Sequence, residues 1–225
     1  RRSSDLSVPS DARFARDLGA LRVRTFGKDV VQHGIDAIAE VAHRHPDDDD
    51  TQVLFAEALI GRTPWLLWDL QTGEPAEGAD TLELIVMLEG AMARPGGMAH
   101  AGLLHMYIHL MEMSPHPERA LKASDALRNL VPDAGHLQHM PTHIDVLCGL
   151  YPAVVEWNGI AMAADRKYLK ERGANNFYSL YRCHDFHFKL YGAMLLGQPR
   201  SVTDCFERLA RRTGRNDSPS YPLSL

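Results

Sequence analysis

The sequence predicts an all-α protein built from antiparallel helix pairs, and three observations carry that reading. Alternating runs of Val, Ile and Thr between Asn-Gly turns are absent, so strand signals are missing. Ala, Leu, Glu and Met dominate segments with helical periodicity. Gly- and Pro-based breaks separate those segments at short intervals, as at Gly73-Glu-Pro75, Pro95-Gly-Gly97, Ser114-Pro-His-Pro117, Val131-Pro-Asp-Ala-Gly135 and Gly197-Gln-Pro199.

In chain order the periodicity predicts helices over Ala12–Gly19, Lys28–His43, Thr51–Leu59, Thr81–Arg94 and Met98–Met113, then Pro117–Leu130, His139–Leu150, Pro152–Arg172, Phe177–Leu196 and Val202–Arg212. The acidic run Asp47–Asp50 follows Pro46 and fits a cap on the helix after it. Helix pairs recurring about every 34 residues are those of a tetratricopeptide-like α-solenoid. Ala120 and Pro132 fall at the expected spacing, whereas the Trp, Gly and Tyr of the consensus first helix are missing. The expected organisation is one repeat domain over residues 1–213 and a loose tail over 214–225.

Composition excludes several classes. The net charge is −5 with no long basic run, which argues against nucleic acid. Three scattered cysteines, Cys148, Cys183 and Cys205, form neither a disulfide framework nor a CxxC pair. They suggest a reducing, cytoplasmic setting. No apolar run approaches the roughly 20 residues of a membrane span. The chain opens Arg-Arg-Ser-Ser without Met, which fits a processed or trimmed form.

Histidine is the unusual residue, with twelve copies, most of them between His105 and His187. HMYIH at 105–109 returns as HMPTH at 139–143, an offset of 34 residues at both histidines. Positions i and i+4 on a helix project from one face, so each motif aims two imidazoles together. His184 and His187 form a third pair at i, i+3. In a solenoid the three pairs would lie on inner helices, and six imidazoles would converge on the concave wall. Buried imidazoles need partners, and a metal ion satisfies several at once. The expected ligands are therefore His105, His109, His139, His143, His184 and His187. An imidazole set suits Cu, Zn or Fe, as one or two ions. Glu112 and Glu57 are the candidate general bases or added ligands, and Tyr107 a candidate proton donor. Tyr181 and Tyr191 share that last role at lower rank. Asn158 and Asp165 lie seven apart on one helical face and could hydrogen-bond the histidines. Pro141 places the second motif at a helix start, with His136 in the loop before it. The bland alternative is that such histidine pairs are core residues bonded to backbone.

The segments Gly102-Leu-Leu-His-Met-Tyr-Ile-His-Leu-Met-Glu112, Gly135-His-Leu-Gln-His-Met-Pro-Thr-His143 and His184-Asp-Phe-His-Phe188 resemble a set of tetratricopeptide-repeat proteins. These are similar to tetratricopeptide repeat protein 38 and its bacterial and fungal relatives. The resemblance covers about residues 51–197 and includes Phe55-Ala-Glu-Ala-Leu59 and the stretch from Asn158 to Tyr168. It implies the fold, and further repeats upstream in relatives, but no reaction. Two functions follow as expectations. One is a metalloenzyme acting on a small organic substrate, an oxidoreductase with copper or iron and a hydrolase with zinc. The other is a non-catalytic scaffold whose groove binds a partner peptide. A homodimer is compatible with both.

Overall fold

The computed structural model describes residues 31–173, 176, 178–198 and 200. The predicted helices at Ala12–Gly19 and Val202–Arg212, the tail at 214–225 and Cys205 lie outside these. Among the described residues the protein is all-α; the only strand-like feature is an isolated bridge between Trp68 and Pro75. No described helix is long and apolar enough to cross a membrane. The chain forms two compact units that divide between Arg119 and Ala120.

In the first unit, residues 31–44 are helical (α1), followed by α2 (Asp49–Arg62), α3 (Thr81–Ala93) and α4 (Ala101–Met111). The acidic run does cap α2: the Asp48 carboxylate accepts from the Thr51 amide at 2.7 Å. Asp49 and Asp50 then stand in its first turn, where the helix dipole favours negative charge. Arg94 pairs with Asp49 and Arg62 with Asp80, tying helix ends together. α4 packs on both α2 and α3. It is buried nearly all round, from Leu103 to Ile108 and again at Leu110 and Met111, as a central helix must be. The sequence places its start at Met98, but a short 3₁₀ turn at Gly97–Ala99 comes first. His100 then leaves the helical conformation, and its Nδ1 accepts from the Leu103 amide as the α4 cap. Trp68 is buried, and its indole donates to the Leu110 carbonyl at 2.7 Å, holding the long 63–80 loop against α4.

The second unit contains α5 (Leu121–Leu127), α6 (Gly135–His139), α7 (Pro141–Leu147), α8 (Tyr151–Arg172) and α9 (Ser179–Leu195). The predicted helix Pro117–Leu130 is shorter. It opens with a 3₁₀ turn over Pro117–Ala120, and Asn129 adopts a left-handed conformation at φ 61° that stops it. The helix predicted from His139 is two helices, because the chain already turns at Gly135 and Pro141 interrupts it. α8 and α9 pack antiparallel: Gly192 lies against Val154 and Gly159 against Lys189. α6 rests on α8 through Gly135, where a Cβ would run into the Asp165 carboxylate and approach the Ala161 carbonyl to 2.9 Å. Only glycine allows that approach. Across α5 and α7, Arg128 grips the fully buried Asp145 with bonds of 2.7 and 2.8 Å, its guanidinium stacked on Trp157.

Candidate metal centre

α6, α7 and α9 each place one imidazole at a common point. His139 is fully buried, His143 is 8% exposed, and His184 is half-buried on α9. The Nε2 atoms of His139 and His143 stand 2.8 Å apart, and the Nε2 of His184 is 3.4 Å from that of His143. One ligand nitrogen from each ring lies within 4.8 Å of the others. A tetrahedral ion with metal–nitrogen bonds near 2.0–2.1 Å has nitrogen–nitrogen edges of about 3.3–3.4 Å. The His143–His184 edge thus already matches ligating geometry, and the His139–His143 edge is short of it by about half an ångström.

The walls of this site come from the same three helices and α8. Phe188 lies one turn beyond His184, and its ring meets all three imidazoles at centroid distances of 4.8, 4.6 and 4.9 Å. His139 Nδ1 faces Asn158 Oδ1 at 2.7 Å, and Asp185 Oδ1 stands 3.5 Å from the same nitrogen. Thr142 sits beside them, its hydroxyl donating to the His139 carbonyl at 2.7 Å. His136, on α6, lies parallel to His139 at 6.1 Å and meets Tyr181 edge-on at 4.9 Å.

Behind the triad is a buried acid pair. Asp165 and Asp185 are almost wholly shielded from solvent. Burial, then the neighbouring charge of Asp165, pushes Asp185 well above the usual carboxylate range. Tyr178 donates to Asp165 at 2.9 Å. Burial and that carboxylate hold its phenol above the ordinary tyrosine range, so it remains a donor.

None of the other expected ligands or bases is a member of this triad. His105 and His109 belong to α4 of the first unit, their ring centroids 4.7 Å apart. His109 Nδ1 meets Glu112 Oε1 at 2.9 Å, with both side chains largely buried. Burial raises the pKa of Glu57, and the nearby His109 counters it. Trp65, in the left-handed region at φ 63°, sets its ring edge-on to His109 at 6.5 Å. Tyr107 projects elsewhere and donates to Glu89 at 2.6 Å. His187 is exposed on α9, outside the triad, and Cys183 is exposed as well. Tyr191 is 49% exposed. Of the two α8 residues on one helical face, Asn158 does bond a ligand candidate, while Asp165 receives Tyr178.

Phe188, Tyr178 and Asp185 escaped the sequence reading. The i+4 spacing from His184 could have flagged Phe188, but nothing local marks the other two. Comparison with known proteins adds nothing to this geometry: no family model, curated protein or solved structure matches the chain.

Proposed function

We propose that the protein is a transition-metal-binding helical-repeat protein that holds one ion on the Nε2 atoms of His139, His143 and His184. The single observation that supports it most is that three ring nitrogens face one another at 2.8 and 3.4 Å in a buried site. Such an arrangement satisfies its polar atoms far better around a cation than among themselves. Imidazole donors favour Zn, Cu or Fe over Mg or Ca. Three protein ligands leave a coordination position open, which is the arrangement of catalytic rather than structural zinc.

On this reading the protein is a metal-dependent enzyme acting on a small organic substrate. A bound copper or iron would supply oxidation chemistry, and a bound zinc Lewis-acid chemistry suited to hydrolysis. Phe188 shields the ion from water on one side. The His109–Glu112 pair, with Glu57 beside it, is the general-base candidate of the first unit. The tetratricopeptide-like arrangement of helix pairs belongs to the same proposal, supported by the 34-residue offset of the two histidine motifs.

Elemental analysis of protein purified without a polyhistidine tag tests this. The expected result is near-stoichiometric transition metal, lost in His143→Ala. Trace metal that is no lower in the variant would end the proposal.

A further inference from the structure

We infer that Asn158 is a positioning residue that commits His139 to the tautomer able to bind metal through Nε2. The inference deepens the metal reading and rests on it. It follows from a chain of hydrogen bonds whose directions are all forced.

The chain starts at a main-chain carbonyl. The Val154 oxygen can only accept, so the Asn158 side-chain atom 2.8 Å from it is the amide nitrogen. The hydroxyl of Thr142 has one hydrogen, and it is spent on the His139 carbonyl at 2.7 Å. Thr142 Oγ1 therefore accepts the second Asn158 N–H at 3.1 Å. Both amide hydrogens are now used. The remaining atom, Oδ1, faces His139 Nδ1 at 2.7 Å and can only accept, so Nδ1 carries a hydrogen. A neutral imidazole has one N–H. Its Nε2 is then a lone pair, and that nitrogen faces the Nε2 of His143 at 2.8 Å. The opposite tautomer would put a hydrogen where the ion must sit.

The HMPTH motif explains why this lock exists. In an uninterrupted helix the His139 carbonyl would take the His143 amide. Here the His143 amide bonds the Met140 carbonyl at 3.1 Å, at the junction where Pro141 begins a new helix. The Thr142 hydroxyl fills the vacated place, which in turn fixes the Asn158 amide. Proline, threonine and both histidines of the motif thus each have a distinct part. Asp185 Oδ1 is the rival acceptor for Nδ1–H, but at 3.5 Å it is beyond a good hydrogen bond.

The test uses full-length, metal-free protein labelled with ¹⁵N-histidine, with His139 assigned by loss of its signal in His139→Gln. The variants are Asn158→Leu, Asn158→Asp, which keeps an acceptor oxygen, and Asn158→Ala, which removes the acceptor with the least added bulk. Wild type is expected in the Nδ1–H form. Asn158→Leu should shift toward Nε2–H, and Asn158→Asp should restore Nδ1–H. If leucine prevents folding, Asn158→Ala should still shift His139 toward Nε2–H. Zinc titration should show binding about 10- to 100-fold weaker in Asn158→Leu, a typical loss when a partner of a ligating histidine is removed. Asn158→Asp should recover most of it. An unchanged tautomer in Asn158→Leu would overturn the inference and name Asp185 as the acceptor. An unchanged zinc affinity would overturn it equally. If the tautomer responds as expected but wild type takes up no zinc, the metal reading fails, and with it the role of Asn158 toward a metal.

Discussion

Zinc-dependent stabilisation is the prediction that bears most directly on the site, and His143 is the residue to perturb. It is the shared vertex of the triad, 2.8 Å from His139 and 3.4 Å from His184. Without it the ion keeps two ligands that come from different helices. Zinc that binds only the folded chain adds about 2.7 kcal/mol at 100 times Kd. For a chain of 225 residues, 1 kcal/mol moves Tm by roughly 2–4 °C. Wild type should therefore melt about 5–11 °C higher in excess zinc. His143→Ala should melt lower than wild type without metal, since it empties a buried position, and its zinc increment should vanish. His187→Ala, at an exposed position of α9, should keep the full increment. Scanning calorimetry of the three proteins, each with zinc and with chelator, gives the comparison. An equal increment in wild type and His143→Ala would refute the assignment of ligands, and no increment in wild type would refute the centre.

Three further outcomes are expected. Arg128→Met leaves Asp145 as an unpaired buried carboxylate and should cost about 3–5 kcal/mol at neutral pH. Burial, the largest effect on Asp145, raises its pKa, and Arg128 opposes that rise. The folded state therefore binds this proton more readily than the unfolded chain, so stability falls as pH climbs through the window. Removing Arg128 pushes the pKa further up, and the deficit measured by urea titration should shrink as pH is lowered into the carboxylate range. A deficit independent of pH would contradict the assignment. Gly135→Ala must lift α6 off Asp165 and the Ala161 carbonyl, at a cost of about 1–3 kcal/mol. Zinc titration should also show weakened binding, because α6 carries His139. Tyr107→Phe loses the bond to Glu89 and should cost about 1–3 kcal/mol in chemical denaturation. Its zinc increment should match wild type, which separates the phenol from the triad.

Local signals made much of the fold legible. α3 begins at Thr81 as its periodicity predicts, the breaks at Gly73–Pro75 and Pro95–Gly97 separate helices, and α9 ends at Leu195, just before the break at Gly197. Boundaries failed where a side chain competed with the backbone, as His100 does at the start of α4, or where a left-handed residue such as Asn129 ended a helix early. The spacing of His139 and His143 foretold that these two rings would meet, since i and i+4 share a face even across a proline junction. The same rule did not serve His187. At i+3 from His184 it falls on the exposed side of α9, while Phe188 at i+4 turns inward.

By itself, then, the sequence determined the helical class, the punctuation between helices and the pairing of imidazoles along a helix, because each depends on neighbours within a turn or two. Only the tertiary structure decided which histidines share a point in space, and that Asn158 from α8 meets His139 from α6 while Asp185 and Phe188 of α9 close around the site. Those contacts join residues 19 to 49 positions apart in the chain. They are fixed by how α6, α7, α8 and α9 pack, which helical periodicity does not encode.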